Sequence, residues 1–293
     1  MRTLVALLLA LLALPAAAAD GALKPFVLAS RGPGDAAAAT TALRAKLEAA
    51  GFQVVGAYDP YPGATVVAFT DGFLKAAAAA APGASYGAVL RASVTKVGDE
   101  VQVAYSNPAY LQHAYRMRTD LGSVGRKLAT TLGALEPYGS RDGKTPRELK
   151  GYHYMIGMPY FDDPVELASF SSHVEAVGAV EAGLAAGRGG ARKVYRVDLP
   201  GTEDTLFGVA LSDGCSGDAT IMKEVDFKPL RSTPHLPYEL LVSGGQVKAL
   251  HAKFRIAVDF PDLSMMGSHS FMGIRCAPDA IEGALKQVAG ARP

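Results

Sequence analysis

The chain has 293 residues, a hydrophobic fraction of 49%, and 29 basic against 28 acidic side chains. That much apolar surface excludes a disordered low-complexity chain, and the near-zero balance excludes a strong global field for nucleic acid or anionic lipid. Two cysteines are too few for a disulfide-built scaffold or a four-cysteine zinc site, so ordinary cores must carry the fold.

Residues 1–19 read as a secretory signal peptide. Arg2 supplies the positive start, residues 4–14 the apolar run, Pro15 the break, and Ala17 and Ala19 the small residues before a cleavage ahead of Asp20. The run is shorter than the ~20 residues of a bilayer span. The alanine-rich composition suits a bacterium, so the expected location is periplasmic or secreted.

A strand is predicted over 26–30, then a helix capped by Asp35 and ended by Gly51. Strands over 52–58 and 64–69 flank a Pro/Gly turn, and a short helix over 73–81 stops at Pro82-Gly83. A hairpin over 86–105 turns at Gly98-Asp99, and a helix spans 120–132. These make a first α+β unit over 20–135. The polar, Pro/Gly-bearing stretch 136–150 reads as a linker.

The order then recurs in a second unit over 151–293. An aromatic-rich strand is predicted at 152–161, and a helix at 164–186 capped by Asp162-Asp163. Strands follow at 194–199 and 206–211, then a short helix at 219–225. A hairpin of 238–242 with 247–258 and a closing helix at 278–288 complete it. Phe69-Thr70-Asp71-Gly72 echoes Leu211-Ser212-Asp213-Gly214 at the same place in each unit. Tandem α+β units, each an antiparallel sheet with helices on one face, are the expectation.

The segment from His235-Leu236-Pro237-Tyr238 through Val242, then Gly244-Gly245-Gln246-Val247, resembles a stretch of the domain of unknown function 302 family. Residues 86–105, followed by Asn107-Pro108, are similar to the same stretch, although Gly83-Ala84-Ser85 stands where Leu-Pro is expected. The resemblance implies a TBP-like fold in each unit, strand–helix–four strands–helix. It implies no activity and no catalytic residues.

Chemistry-bearing motifs are few. Gly83-Ala84-Ser85-Tyr86-Gly87 matches G-x-S-x-G, but a helix precedes it and a strand follows, the reverse of a nucleophile elbow. Two groups of soft and imidazole ligands suit copper in an oxidising compartment. One holds His153, Met155 and Met158; on a strand the first two share a face and the third points away. The other is Met265, Met266, His269 and Met272, on a Gly/Ser loop that can gather several donors. Core filling is the alternative for the methionines.

Tyr152, Tyr154 and Tyr160 alternate onto one strand face, either a ligand-pocket wall or a sheet face under a helix. Arg255 and Asp259, which share a strand face, are expected at a solvated or paired edge and not as a catalytic dyad. Cys215 and Cys276 are expected to bridge within the second unit, the alternatives being two buried thiols or a redox pair. The functional expectation is a non-catalytic binding or accessory protein for a small ligand or copper ion. The alternatives are an interaction module for an envelope protein, and last a hydrolase or redox enzyme.

Overall fold

The computed structural model describes residues 21–290, so the expected signal segment lies outside the described residues. The fold is mixed α+β with two antiparallel sheets. In the first half, β1 (Phe26–Pro33) leads to α1 (Ala36–Ala49), where Asp35 accepts from the Ala38 N–H at 2.7 Å. Then come β2 (Gln53–Tyr61), β3 (Ala64–Thr70), α2 (Gly72–Ala79), β4 (Leu90–Val97) and β5 (Glu100–Ser106). The half closes with α3 (Pro108–Ala114), α4 (Gly122–Leu132), β6 (Glu136–Tyr138) and α5 (Pro146–Lys150).

The second half runs β7 (Val165–Ser169), α6 (His173–Ala185), β8 (Ala191–Asp198), β9 (Asp204–Leu211) and α7 (Asp218–Val225). It ends with β10 (Tyr238–Ser243), β11 (Gln246–Ala249), α8 (Ala252–Asp259) and α9 (Ala277–Val288). The sheets are ordered β2-β3-β4-β5-β1-β6 and β8-β9-β10-β11-β7. Apart from the added β6, strand order and connectivity are the same in both.

Several expectations need correction. Residues 152–161 form no strand: Gly157 takes a left-handed φ of +84° and Pro159 lacks an N–H, so no ladder can run through them. The first strand of the second sheet is β7, and α6 starts eight residues later than Val165, capped by the Ser172 hydroxyl accepting from Glu175 N–H. Asp162 pairs with Arg116 at 2.6 Å, and Asp163 accepts from the Tyr160 N–H at 2.9 Å, so neither caps a helix.

The expected second strand of the last hairpin stops at Ala249, and the rest is α8. Nearly every α8 residue is buried, so its apolar run carries no one-sided stripe to betray a helix. The stretch 136–150 is built into the first half. Its β6 pairs with β1, Phe26 opposite Tyr138, and α5 carries a Thr145–Glu148 capping box.

Helices α1 and α4 cover one face of the first sheet, and α6 and α9 one face of the second. A Cβ on Gly183 would lie 2.0 Å from the Val288 carbonyl oxygen, so only glycine lets α6 approach α9 this closely. The uncovered faces pack against each other. Tyr58 and Val66 of the first sheet pack into the apolar cluster of the second half, and Val197, Leu206 and Leu241 of the second sheet into that of the first. At Gly56 a Cβ would meet Val194 O at 2.2 Å, placing β2 and β8 in backbone contact. Tyr110 and Tyr152 donate to the Val258 and Ala257 carbonyls at 2.6 and 2.8 Å, satisfying last-turn acceptors of α8.

Candidate functional site

Between the sheets lies a buried layer of charge. Arg91 of β4 donates through Nη1 to Glu239 Oε1 of β10 at 3.1 Å, and through Nε to the Pro234 carbonyl at 3.0 Å. The Tyr195 hydroxyl donates to the same Glu239 oxygen at 2.7 Å. Arg255 of α8 reaches Asp259 and the His235 carbonyl, and His235 Nδ1 lies 2.8 Å from Asp259 Oδ2. Two guanidiniums thus face two carboxylates, all four buried. The expected solvated Arg255–Asp259 pair is therefore a core pair on one helix face.

Burial would raise the Asp259 carboxyl, but Arg255 and the His235 hydrogen bond outweigh it and hold it at about 2. Burial, reinforced by Arg255, pushes the His235 imidazole down to about 4. This layer is closed to solvent and balanced in charge; it joins the halves and leaves no room for a substrate.

The candidate site lies at the ends of α7, which docks on β2. Asp218 opens the helix, and its Oδ2 accepts from the Tyr58 hydroxyl at 2.8 Å and from the Leu211 N–H at 3.3 Å. Asp226 follows the last turn, and its Oδ1 accepts from the Ser232 N–H at 2.8 Å. Asp218 Oδ1 and Asp226 Oδ2 are buried with no hydrogen-bond partner. Burial lifts both carboxyls from 3.8 to about 7, against the hydrogen bonds just named and, at Asp226, the Arg231 charge. At Asp226 the negative end of the helix acts in the same direction as burial.

A pH dependence follows. These two groups bind protons more tightly folded than unfolded. Their contribution to stability is complete below about pH 3.8 and is lost as pH rises through 7. Melting curves from about pH 5 to 8 are expected to show a steeper decline in the parent than in D218N/D226N. Parallel curves would remove these groups from the account.

A cavity stands at each end of α7. One, of about 390 Å³, is walled by Tyr58, Asp59, Arg192, Leu211 and Asp218. The other, of about 440 Å³, opens between residues 136–141 of the first half and residues 225–232 and 260–269 of the second. Tyr138, Phe227, Leu230, Phe260 and Leu263 give it an apolar lining. Phe227 stacks on His269 with ring centroids 4.4 Å apart. Lys24, Arg141 and Lys228 stand at its walls, with Asp262 accepting from the Arg141 N–H at 2.6 Å and lying 4.0 Å from Lys228 Nζ.

The structure distributes the sequence-predicted residues unevenly. Among the second ligand group, His269 lines this cleft, whereas Met265, Met266 and Met272 lie outside its wall. His153 packs at a tilt against Tyr160, centroids 4.3 Å apart, and Met155 is exposed, so the strand-face pairing of His153 with Met155 does not form. Tyr152 is buried against α8, Tyr154 donates to the Leu263 carbonyl at 2.6 Å, and Tyr160 is exposed; the three share no wall. Cys215 and Cys276 are bridged, with Cα atoms 5.8 Å apart. Ser85 is buried in the 3₁₀ turn Ala84–Ala88 and donates to Asp204 of the second half.

Sequence reasoning missed Asp218, Asp226 and Phe227. The one available signal was Val225-Asp226-Phe227, an acid between large apolar residues at the end of a short helix. Compared with known proteins, the chain matches no family model, no curated protein and no solved structure.

Proposed function

We propose that this is a non-catalytic binding protein of the bacterial envelope, exported by residues 1–19 and built from two TBP-like units. Its ligand is a small, largely apolar molecule held in the cleft between the halves. The observation that carries this reading is the 440 Å³ cavity with an apolar lining contributed by both halves. Its size falls within the range of small-molecule sites, and a few polar groups at an apolar wall are what fixes orientation there. The Ser85 hydroxyl, committed to Asp204 in a buried turn, supports a non-catalytic role.

The neutral fluorophore N-phenyl-1-naphthylamine is a direct probe. It is expected to bind saturably at one site. Phe227→Ala should weaken it about tenfold through lost apolar contact, and Leu230→Trp should block it by filling the cleft. Absence of saturable binding, or indifference to both substitutions, would reject the cleft as a ligand site.

A further inference from the structure

The two methionine–histidine groups, over a hundred positions apart in sequence, meet on one surface. The Tyr154–Leu263 hydrogen bond joins their loops, and Met158 and Tyr154 share a small gap with Leu263 and Phe271. Core filling explains Met117 and Met222, which are 4% and 2% exposed. It does not explain Met155, Met266 and Met272, which are 46%, 77% and 44% exposed. An exposed thioether gains nothing from packing, so its position asks for another use.

The loop around His269 is built. The Phe271 N–H donates to the Ser264 carbonyl at 2.8 Å and the Met272 N–H to the Met265 carbonyl at 3.2 Å. These two bonds bring the backbones of Met265 and Met272 together. The loop is pinned to Glu224 of α7: Ser270 N–H donates to the carboxylate at 3.3 Å, and a Cβ on Gly273 would meet that carboxylate at 2.2 Å. His269 holds a left-handed φ of +52° with its ring against Phe227. Its Nδ1 lies 3.0 Å from the Glu224 carbonyl oxygen. A carbonyl can only accept, so Nδ1 carries the hydrogen and Nε2 is left with the lone pair. A backbone carbonyl behind the ring is the usual support of a metal-binding imidazole.

We propose that His269 Nε2 and the thioethers of Met265 and Met272 bind one cuprous ion on this loop, with Met266 as the adjacent fourth donor. Two thioethers and an imidazole are a soft set that selects Cu(I) over the harder divalent ions. Both cysteines are committed to the disulfide, so no thiolate competes. Among the described residues no three His, Cys, Asp or Glu side chains come together to hold a zinc-type ion. The site is at the rim of the cleft and does not depend on the cleft holding an organic ligand.

The test is anaerobic titration with Cu(I) under ascorbate, in competition with a chromophoric Cu(I) chelator. Carbon-13-labelled methionine methyls are read by NMR in the same samples. One equivalent is expected to bind, shifting the methyls of Met265 and Met272 while Met117 and Met222 stay in place. M265L/M272L keeps volume and fold and should lose copper affinity at least about tenfold, as should His269→Gln. The proposal fails if the chelator retains all the copper, if M265L/M272L binds as tightly as the parent, or if only Met155 and Met158 shift. Unchanged melting curves show that the variants fold, and N-phenyl-1-naphthylamine binding reports the cleft separately.

Discussion

Glu239→Gln is expected to melt roughly 10 °C below the parent protein. The substitution keeps the side chain's shape and an acceptor for the Tyr195 hydroxyl, and removes only the charge facing Arg91. Arg91 and Arg255 are then left with Asp259 as the one carboxylate in a layer closed to solvent. Breaking a buried ion pair from one side costs about 3–5 kcal/mol, because the surviving charge stays desolvated. In a chain of this size each kcal/mol moves the midpoint by about 2–4 °C. The decisive companion is R91M/E239Q, which restores charge balance with apolar volume. It should recover most of the loss; if it melts as low as the single variant, packing and not charge governs the layer. Circular dichroism melts at fixed pH suffice.

C215S/C276S is the second large effect. The bridge closes a loop with a sequence separation of 61, which contains α7, β10, β11 and α8. On the chain-entropy model such a loop contributes about 4 kcal/mol by limiting the unfolded ensemble. The loop includes Glu239 and all of the second half's share of the charged layer. Loss of the bridge should therefore lower the midpoint by roughly 10 °C without changing the unfolded baseline. Denaturant titration separates this from folded-state damage: the slope should change together with the midpoint, since the unfolded chain expands once the crosslink is gone. A parent and variant with equal stability in denaturant would show that native contacts already hold the two ends.

The legible part of the fold was its punctuation. Asp35, Gly51 and the Gly98-Asp99 turn mark element ends by local chemistry that packing does not override. What stayed hidden was the contact between halves. Along β4, Leu90, Ala92 and Val94 alternate with Arg91, Ser93 and Thr95, the pattern of a strand with one wet face. All six are buried, because the polar row meets the second half through Glu239, Pro234 and Thr233. Alternation reports two different faces; it does not say that one of them is water.

Segment 152–161 misled for a related reason. Its tyrosines alternate as in a strand, yet Tyr152 and Tyr154 are spaced to reach carbonyls on and after α8. Those acceptors are remote in sequence, so no local window contains them. In the candidate site, cysteine pairing was legible because redox chemistry constrains it. The burial of Asp218 and Asp226 was not, because it depends on Tyr58 and Tyr61 lying over α7 from the other half.

The Arg91–Glu239 pair also decides which halves can associate. The two sheets share one strand order, so a first half could in principle lie on the first half of another chain. That meeting would bring two Arg91 side chains into a buried layer with no Glu239 to receive either. The unlike pairing within one chain has no such cost. A single charge reversal between otherwise similar faces thus acts as an address. It should keep crowded copies monomeric, and should let separately expressed halves find each other and not themselves.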